Sequence, residues 1–178
     1  MALLETPICN FGEKAKDFTL LSTENKKVSL SDIKGKNGTL IMFICNHCPY
    51  VKAVINSIVQ DVNFLDSVGI KSAAIMSNDV NEYSEDSFEN MISFAKQHNF
   101  LFPYLFDKTQ KVARDYGAVC TPDFFGYNQN LELQYRGRIY AARPTELGAA
   151  MKLIATTGKG PKKQIPSMGC SIKWIKQS

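Results

Sequence analysis

A continuous apolar run that leads directly into an amphipathic segment is the feature that most constrains this fold. The run is TLIMFI (residues 39–44), and its lack of polar alternation indicates a strand buried on both faces. After it, Val51, Ile55 and Ile58 recur at helical spacing, and Gly69 ends the helix. A buried strand followed by a helix is typical of a partly parallel sheet with helices on its faces.

Strands and helices alternate along the rest of the chain. An N-terminal β-hairpin is predicted around STENKK (22–27), and a second hairpin around NQN (128–130). Further strands and helices are indicated at 70–79, 84–99, 102–107, 109–117 and 145–158. Ser84 or Asp86 is the predicted cap of the helix at 84–99, and Thr145 that of the last helix. The pattern predicts an α/β domain with a central mixed sheet over residues 1–158, followed by a tail at 159–178.

Length and composition fit one domain with its own core, since the chain has 178 residues and 44% are hydrophobic. The N-terminus shows no basic segment before an apolar run of signal length, and no apolar stretch reaches the length of a membrane span. We therefore expect a cytoplasmic protein without a membrane partner, in a compartment where thiols are normally reduced. The odd number of cysteines, five, argues against a closed disulfide framework.

The formal net charge of +4 reflects the C-terminal segment, where residues 159–178 contain five lysines and no acidic residue. No aromatic-and-basic face accompanies these lysines. We interpret the segment as a solvated basic tail and expect no nucleic-acid partner. A tail that attracts an acidic partner is the alternative, and no pattern predicts the oligomeric state.

The stretch FICNHCPYV (43–51) places two cysteines, Cys45 and Cys48, where the buried strand passes into the helix. The amides and dipole of a helix N-terminus favour a thiolate, and a protonated His47 would favour it further. The sequence therefore predicts a lowered pKa for Cys45, which would attack as the thiolate. Cys48, placed one turn further on, would resolve the mixed disulfide. Pro49 is compatible with the first turn of the helix.

A metal site is the main alternative for the cysteines. Zinc would accept thiolates from Cys45, Cys48, Cys120 and Cys170, with His47 as a spare ligand. Structural zinc sites usually combine two close cysteine pairs, and this chain has one. We therefore predict neither a metal nor another cofactor. A binding module that has lost its chemistry is a further alternative, and the intact pair argues against it.

A second motif, VCTPDFF (119–125), lies late in the chain. Its Thr121–Pro122 bond is either a cis peptide or an ordinary trans proline that opens a strand. Cys120, directly before it, is either a third redox thiol or a small buried hydrophobic residue. Cys170 is either a resolving thiol for Cys45 or Cys120, or a free thiol packed with Trp174.

Together these motifs resemble the thioredoxin-like superfamily, and within it the alkyl hydroperoxide reductase/thiol-specific antioxidant (redoxin) branch. CNHCP after a buried strand and CTPDFF before a hairpin carry the resemblance, which covers almost the whole chain. The N-terminal hairpin and the segment at 77–107 resemble the peroxiredoxin-type insertion of that branch. The resemblance implies a thioredoxin-like fold, Cys45 as nucleophile, Cys48 as resolving cysteine, and Pro122 as a cis-proline beside them. It also implies that Thr121 offers backbone hydrogen bonds to substrate, with Cys120 next to it.

The expected function is thiol–disulfide exchange with a protein or small-molecule disulfide, supported by an electron-donating thiol system. The runner-up is a thiol-dependent hydroperoxide reductase with an antioxidant role. Peroxiredoxins carry a Pro-x-x-x-Thr/Ser-x-x-Cys loop, and the positions before Cys45 and Cys48 match neither the proline nor the threonine. The sequence thus favours disulfides over peroxides as substrates.

Overall fold

The structure, a computed structural model, describes residues 2–140 and 142–177. Its strands are β1 (Leu3–Glu5), β2 (Thr19–Ser22), β3 (Lys27–Ser29), β4 (Gly38–Phe43), β5 (Ile70–Met76), β6 (Tyr104–Phe106), β7 (Cys120–Thr121), β8 (Asp123–Tyr127), β9 (Leu133–Tyr135) and β10 (Met168–Ser171). Its α-helices are α1 (Pro49–Ser67), α2 (Phe88–Gln97), α3 (Lys111–Tyr116) and α4 (Glu146–Thr157). In the part of the chain described, no helix combines the length and the apolar character needed to cross a membrane.

The main sheet has the strand order β3-β2-β6-β5-β4-β8-β9. Strand β4 is buried along its whole length and pairs in parallel with β5 and antiparallel with β8. The predicted mixed sheet, its buried central strand and both hairpins are therefore confirmed.

Alternate residues of β4 enter two different cores, because successive side chains of a strand point to opposite faces. Leu40 and Met42 pack in the core that contains residues of α1, α2 and α4. Ile41 and Phe43 pack in the core on the other face, with residues of α3. The cysteine pair that follows β4 belongs to the first of these cores.

The ends of the helices confirm one predicted cap and correct another. The Thr145 hydroxyl accepts a hydrogen bond from the Gly148 amide and caps α4. The cap of α2 is Ser87, whose hydroxyl accepts from the Asn90 amide, rather than Ser84 or Asp86. Residues Ser84–Asp86 form a 3₁₀ turn before the helix, and this turn directs Asp86 into the interior.

The C-terminal segment is not a solvated tail over its whole length. Strand β10 is the middle strand of a second sheet, in the order β1-β10-β7, and Cys170 and Ile172 are buried. Two polar side chains hold the segment that follows β10. The Gln110 side-chain amide donates to the Lys173 backbone carbonyl, and the Lys173 backbone amide donates to the Asn78 side-chain oxygen. The prediction was wrong because a short strand that pairs with distant residues leaves little periodicity in the sequence.

Candidate active site

The cysteine loop begins where β4 ends and finishes at the first turn of α1. The helix starts at Pro49, so Cys48 is the N-cap residue and Cys45 lies in the loop before it. Proline suits this position because the first amides of a helix have no intrahelical partner. The dipole of α1 therefore acts more directly on Cys48 than on Cys45.

The two cysteine side chains meet at Thr121. Cys45 Sγ lies 3.6 Å from the Thr121 hydroxyl oxygen, and Cys48 Sγ lies 3.4 Å from the Thr121 carbonyl oxygen. The two thiols lie close enough to shift each other's pKa. The Thr121–Pro122 peptide bond is cis. The structure thus brings the motifs CNHCP and CTPDFF together in one site and confirms the cis proline.

Hydrogen bonding and burial set the acidity of the two thiols. The neighbouring Cys48 thiol, together with burial and the nearby Asp86 carboxylate, raises the pKa of Cys45. The Cys45 thiol in turn lowers the pKa of Cys48, and the Val51 amide at the start of α1 adds to this effect. The direction of the shift at Cys45 is thus opposite to the lowering predicted from the sequence.

A buried carboxylate stands beside the pair. Asp86 is fully buried, and its Oδ1 accepts a hydrogen bond of 2.8 Å from the Asn46 amide while its Oδ2 accepts one of 2.9 Å from the Asn78 side chain. His47 Nδ1 lies 2.6 Å from the same Oδ2, in an orientation outside hydrogen-bond geometry. Asp86 thereby fixes Asn46 by a hydrogen bond and lies beside His47, the other residue between the two cysteines.

The remaining contacts of this loop come from three other parts of the chain. The Tyr104 hydroxyl of β6 donates a 2.7 Å hydrogen bond to the Asn46 side-chain oxygen. The ring of Tyr83 stacks on His47 with a centroid separation of 5.9 Å, and Lys173 Nζ lies 5.9 Å from the Tyr83 ring centroid. The loop that carries the cysteines is therefore held from β6, from the segment after β5, and from the C-terminal segment.

The three cysteines outside the pair have different surroundings. Cys170 is buried in the same core as the pair and lies opposite Thr121 in the register of β7 and β10. Cys120 is also buried, but its Sγ contacts the Pro122 carbonyl oxygen at 3.8 Å, and burial raises its pKa to about 12. Cys9 is half-buried, and burial raises its pKa to about 11. Of the accessory thiols, the structure therefore brings Cys170 to the pair.

The backbone edge predicted to bind substrate already has a partner within the chain. Thr121 is paired with Cys170, and Cys120 with Ser171, in the antiparallel register of β7 and β10. A peptide could add to this edge only after β10 had left it. The substrate-binding roles of Thr121 and Cys120 stay predictions.

Among the described residues, one group of side chains has ligand atoms close enough together to be tested as a metal site. The ligand atoms of Cys45, His47 and Asp86 lie within 4.8 Å of one another. This is not the four-cysteine set considered from the sequence. Two ligands of one tetrahedral zinc ion lie about 3.3 Å apart, given zinc–ligand distances of about 2.0 Å. The 2.6 Å between His47 and Asp86 suits an ion pair better.

Asp86, Asn46 and Tyr104 are the site residues that sequence reasoning missed. Asp86 falls among polar residues that suggested a helix cap, and its burial depends on the turn before α2. Asn46 could have been found from the sequence, because a polar residue inside a buried cysteine loop needs hydrogen-bond partners. Tyr104 lies in an apolar strand, and nothing in its local pattern marks the hydroxyl.

Comparisons with known proteins place the chain in a family. The AhpC/TSA family pattern matches residues 11–142. The crystal structure of an uncharacterized conserved protein from Geobacillus kaustophilus is 40% identical, has a TM-score of 0.93, and covers 100% of this chain and 99% of its own. The protein named Putative peroxiredoxin bcp in Coxiella burnetii is 29% identical over 115 residues, 65% of this chain and 71% of that protein.

A more distant structure supports the fold alone. It is a thiol:disulfide interchange protein of the thioredoxin family from Chlorobium tepidum TLS. It is 15% identical, with a TM-score of 0.65 over 81% of this chain and 97% of its own. With the fold, the paired cysteines and a family match over most of the chain, the protein belongs to the AhpC/TSA family, in the redoxin branch of the thioredoxin-like superfamily of oxidoreductases.

Proposed function

We propose that the protein is a thiol–disulfide oxidoreductase that uses Cys45 and Cys48. The observation that carries this proposal is the contact of both cysteine side chains with one residue, Thr121, at 3.6 Å from Cys45 Sγ to its hydroxyl oxygen and 3.4 Å from Cys48 Sγ to its carbonyl oxygen. Two thiols held side by side can close a disulfide after one of them has reacted with a substrate. The family match supports the same class of chemistry.

Cys45 is the sulfur that we propose reacts with the substrate. It adjoins His47, whose side chain is 18% exposed. Cys48 has no exposed surface and is enclosed by Cys45, the Thr121 carbonyl group and Cys170. A substrate that approaches past His47 therefore reaches Cys45 first.

The proposed reduction of a substrate disulfide takes place in two steps. Cys45 attacks one sulfur of the substrate disulfide and transfers its proton to the Cys48 thiolate, while the other substrate sulfur leaves as a thiolate. Cys48 then attacks Cys45, and the bound half of the substrate leaves as a thiol with the proton from Cys48. The protein ends with a Cys45–Cys48 disulfide, and the substrate has gained two electrons.

In the cytoplasm, the location that we propose, the net reaction would be reduction of a protein or small-molecule disulfide. A separate thiol system would return the protein to its dithiol form. His47 and Asp86 would flank Cys45 throughout and keep the loop in place. None of these steps needs a bound cofactor.

Hydroperoxide reduction is a second candidate, favoured by the similarity to a protein named as a peroxiredoxin. In that reaction Cys45 passes its proton to Cys48 and attacks the O–O bond as a thiolate, which leaves a sulfenic acid on Cys45 and an alkoxide that takes a proton from water to become the alcohol. Cys48 then condenses with the sulfenic acid and releases water. The proline and threonine of the peroxiredoxin loop are absent before Cys45, so we rank this candidate second.

Turnover of both substrate classes separates the two candidates. Insulin-disulfide reduction and hydroperoxide consumption are measured for the wild type, Cys45→Ser, Cys48→Ser and Cys9→Ser, the last as a control outside the pair. We expect disulfide reduction that falls to background without Cys45 and is unchanged in Cys9→Ser. Peroxide turnover without disulfide reduction would favour the second candidate, and activity that survives Cys45→Ser would exclude both.

A further inference from the structure

Cys170 places a third sulfur next to the pair. On β10 it is directly opposite Thr121 of β7, the residue that contacts both Cys45 and Cys48. Its side chain belongs to the same buried core as the pair, and its thiol lies close enough to Cys48 to affect the pKa of that thiol. Cys48 therefore has two cysteines near it, Cys45 in its own loop and Cys170 on β10.

Strand β10 is fixed in this position by contacts on both sides of Cys170. The Ser167 hydroxyl donates a 2.7 Å hydrogen bond to the Pro122 carbonyl, and the Ile172 amide donates to the Val119 carbonyl at 3.1 Å. Gly169 lies so close to Thr121 that an added Cβ would overlap the Thr121 carbonyl group. The third cysteine is thus held beside the pair by the fold itself.

We propose that Cys170 is a third redox cysteine, which takes the disulfide over from Cys45 by exchange at Cys48. The proposal rests on the proposed thiol–disulfide function. The sulfur of Cys170 attacks Cys48 in the Cys45–Cys48 disulfide and forms a Cys48–Cys170 disulfide. Cys45 leaves as a thiolate and receives the proton that Cys170 loses. The step needs no outside oxidant or reductant, because the number of disulfides stays the same.

Exchange would separate the two halves of the catalytic cycle. After it, Cys45 is again a free thiol although the protein still carries two oxidising equivalents. The external reductant would then open the Cys48–Cys170 disulfide rather than the bond to the substrate-facing sulfur. Cys120, the other cysteine near this edge, is not suited to the step, because its sulfur contacts the Pro122 carbonyl instead of the pair.

Disulfide mapping tests the proposal. The reduced protein is oxidised with a stoichiometric amount of diamide, its free thiols are blocked in acid, and it is digested with trypsin. Cys45 and Cys48 lie in the peptide 37–52, and Cys170 lies in 164–173. We expect two products: an internal disulfide in 37–52 and a cross-link between the two peptides. The cross-link should persist in Cys45→Ser and fall to background in Cys48→Ser and Cys170→Ser.

A glycine variant tests the role of β10 without removing a cysteine. Gly169→Ala should displace β10 from Thr121 and so reduce the cross-link strongly, while the internal disulfide still forms. Met168→Ala, at the exposed neighbouring position, is the matched control and should leave the cross-link unchanged.

The outcomes separate this proposal from the proposed function. If the internal disulfide forms in the wild type but the cross-link appears neither there nor in Cys45→Ser, the exchange proposal is overturned alone. If the peptide 37–52 takes part in no disulfide at all, the proposed function fails with it. A cross-link that survives in Cys48→Ser would show that Cys170 pairs with Cys45 and would also contradict the exchange proposal.

Discussion

At the scale of single residues, the Cys45 and Cys48 thiols shift each other's acidity in opposite directions. Their proximity raises the pKa of Cys45 and lowers that of Cys48. A thiolate on Cys48 is consistent with its place at the start of α1 and with the distance of the Asp86 carboxylate, which lies beside Cys45 instead. These directions favour a reduced state in which Cys45 keeps its proton, and in the proposed reaction that proton passes to Cys48 as Cys45 attacks.

This distribution predicts how the thiolate titrates. In the reduced wild type, the ultraviolet absorbance of the thiolate should appear well below the ordinary thiol pKa of about 8.5. Cys45→Ala removes the donor and should move the midpoint up towards that value, whereas Cys45→Ser keeps a hydroxyl donor and should move it less. Cys48→Ser should remove the low transition. An unchanged midpoint in Cys45→Ala would show that the Cys45 thiol does not lower the pKa of Cys48.

Sequence reasoning found those residues of the site whose signal is local. Cys45, Cys48 and His47 are neighbours in the chain, and the Thr121–Pro122 motif is recognisable by itself. The fold class then predicted that the two motifs lie next to each other. Asp86 lies forty residues from the loop that it holds, as the Asn46–Asp86 hydrogen bond shows. No pattern around it distinguishes a helix cap from a buried partner. Its role depends on tertiary structure, which a local pattern cannot contain.

At the scale of elements, the hairpin of β8 and β9 supports the proline side of the site through a buried ion pair. Arg136 Nη2 donates to Asp123 Oδ2 at 2.9 Å and to the Gly117 carbonyl at 2.8 Å. Burial raises the pKa of Asp123, and the arginine opposes this effect. Asp123 also accepts a hydrogen bond from the Val119 amide, so the pair ties together both strands that flank Pro122.

Loss of this ion pair should be costly. Arg136→Met should lower the free energy of unfolding by about 3–5 kcal/mol, because Asp123 would remain as an unpaired buried charge. Arg138→Met is the matched control: its pair with Glu146 has both side chains 36% exposed and should contribute about 0–1 kcal/mol. Urea unfolding at neutral pH under reducing conditions measures both. Equal losses in the two variants would contradict this account of the hairpin.

The elements themselves were largely predictable, and the exceptions have a common cause. Strand β4 and helix α4 have strong patterns, a continuous apolar run in one and a Thr145 cap with a closing Gly158 in the other. Strand β10 has no such pattern, since its four residues, MGCS, include a glycine and no β-branched or aromatic residue. It forms because β1 and β7 offer it backbone partners on both edges.

At the scale of the whole molecule, the fold encloses the two cysteine sulfurs that we propose react. The exposed fraction is 1% for Cys45 and 0% for Cys48, and the C-terminal segment covers the edge next to them. Reaction with a bulky disulfide therefore requires local movement near His47. The chain thus combines a site built in the core of one sheet with a second small sheet that supplies the third sulfur.

The assignment of Cys45 as the attacking sulfur and Cys48 as the resolving one is tested most directly by trapping the mixed disulfide. Two reduced variants, Cys48→Ser/Cys170→Ser and Cys45→Ser/Cys170→Ser, are exposed to oxidised glutathione, and the adducts are located by mass spectrometry. Removal of Cys170 keeps it from resolving an adduct on Cys48. The account predicts a stable glutathione adduct on Cys45 in the first variant and little or none on Cys48 in the second. An adduct on Cys48 alone would reverse the two roles, and the absence of any adduct would contradict the redox pair itself.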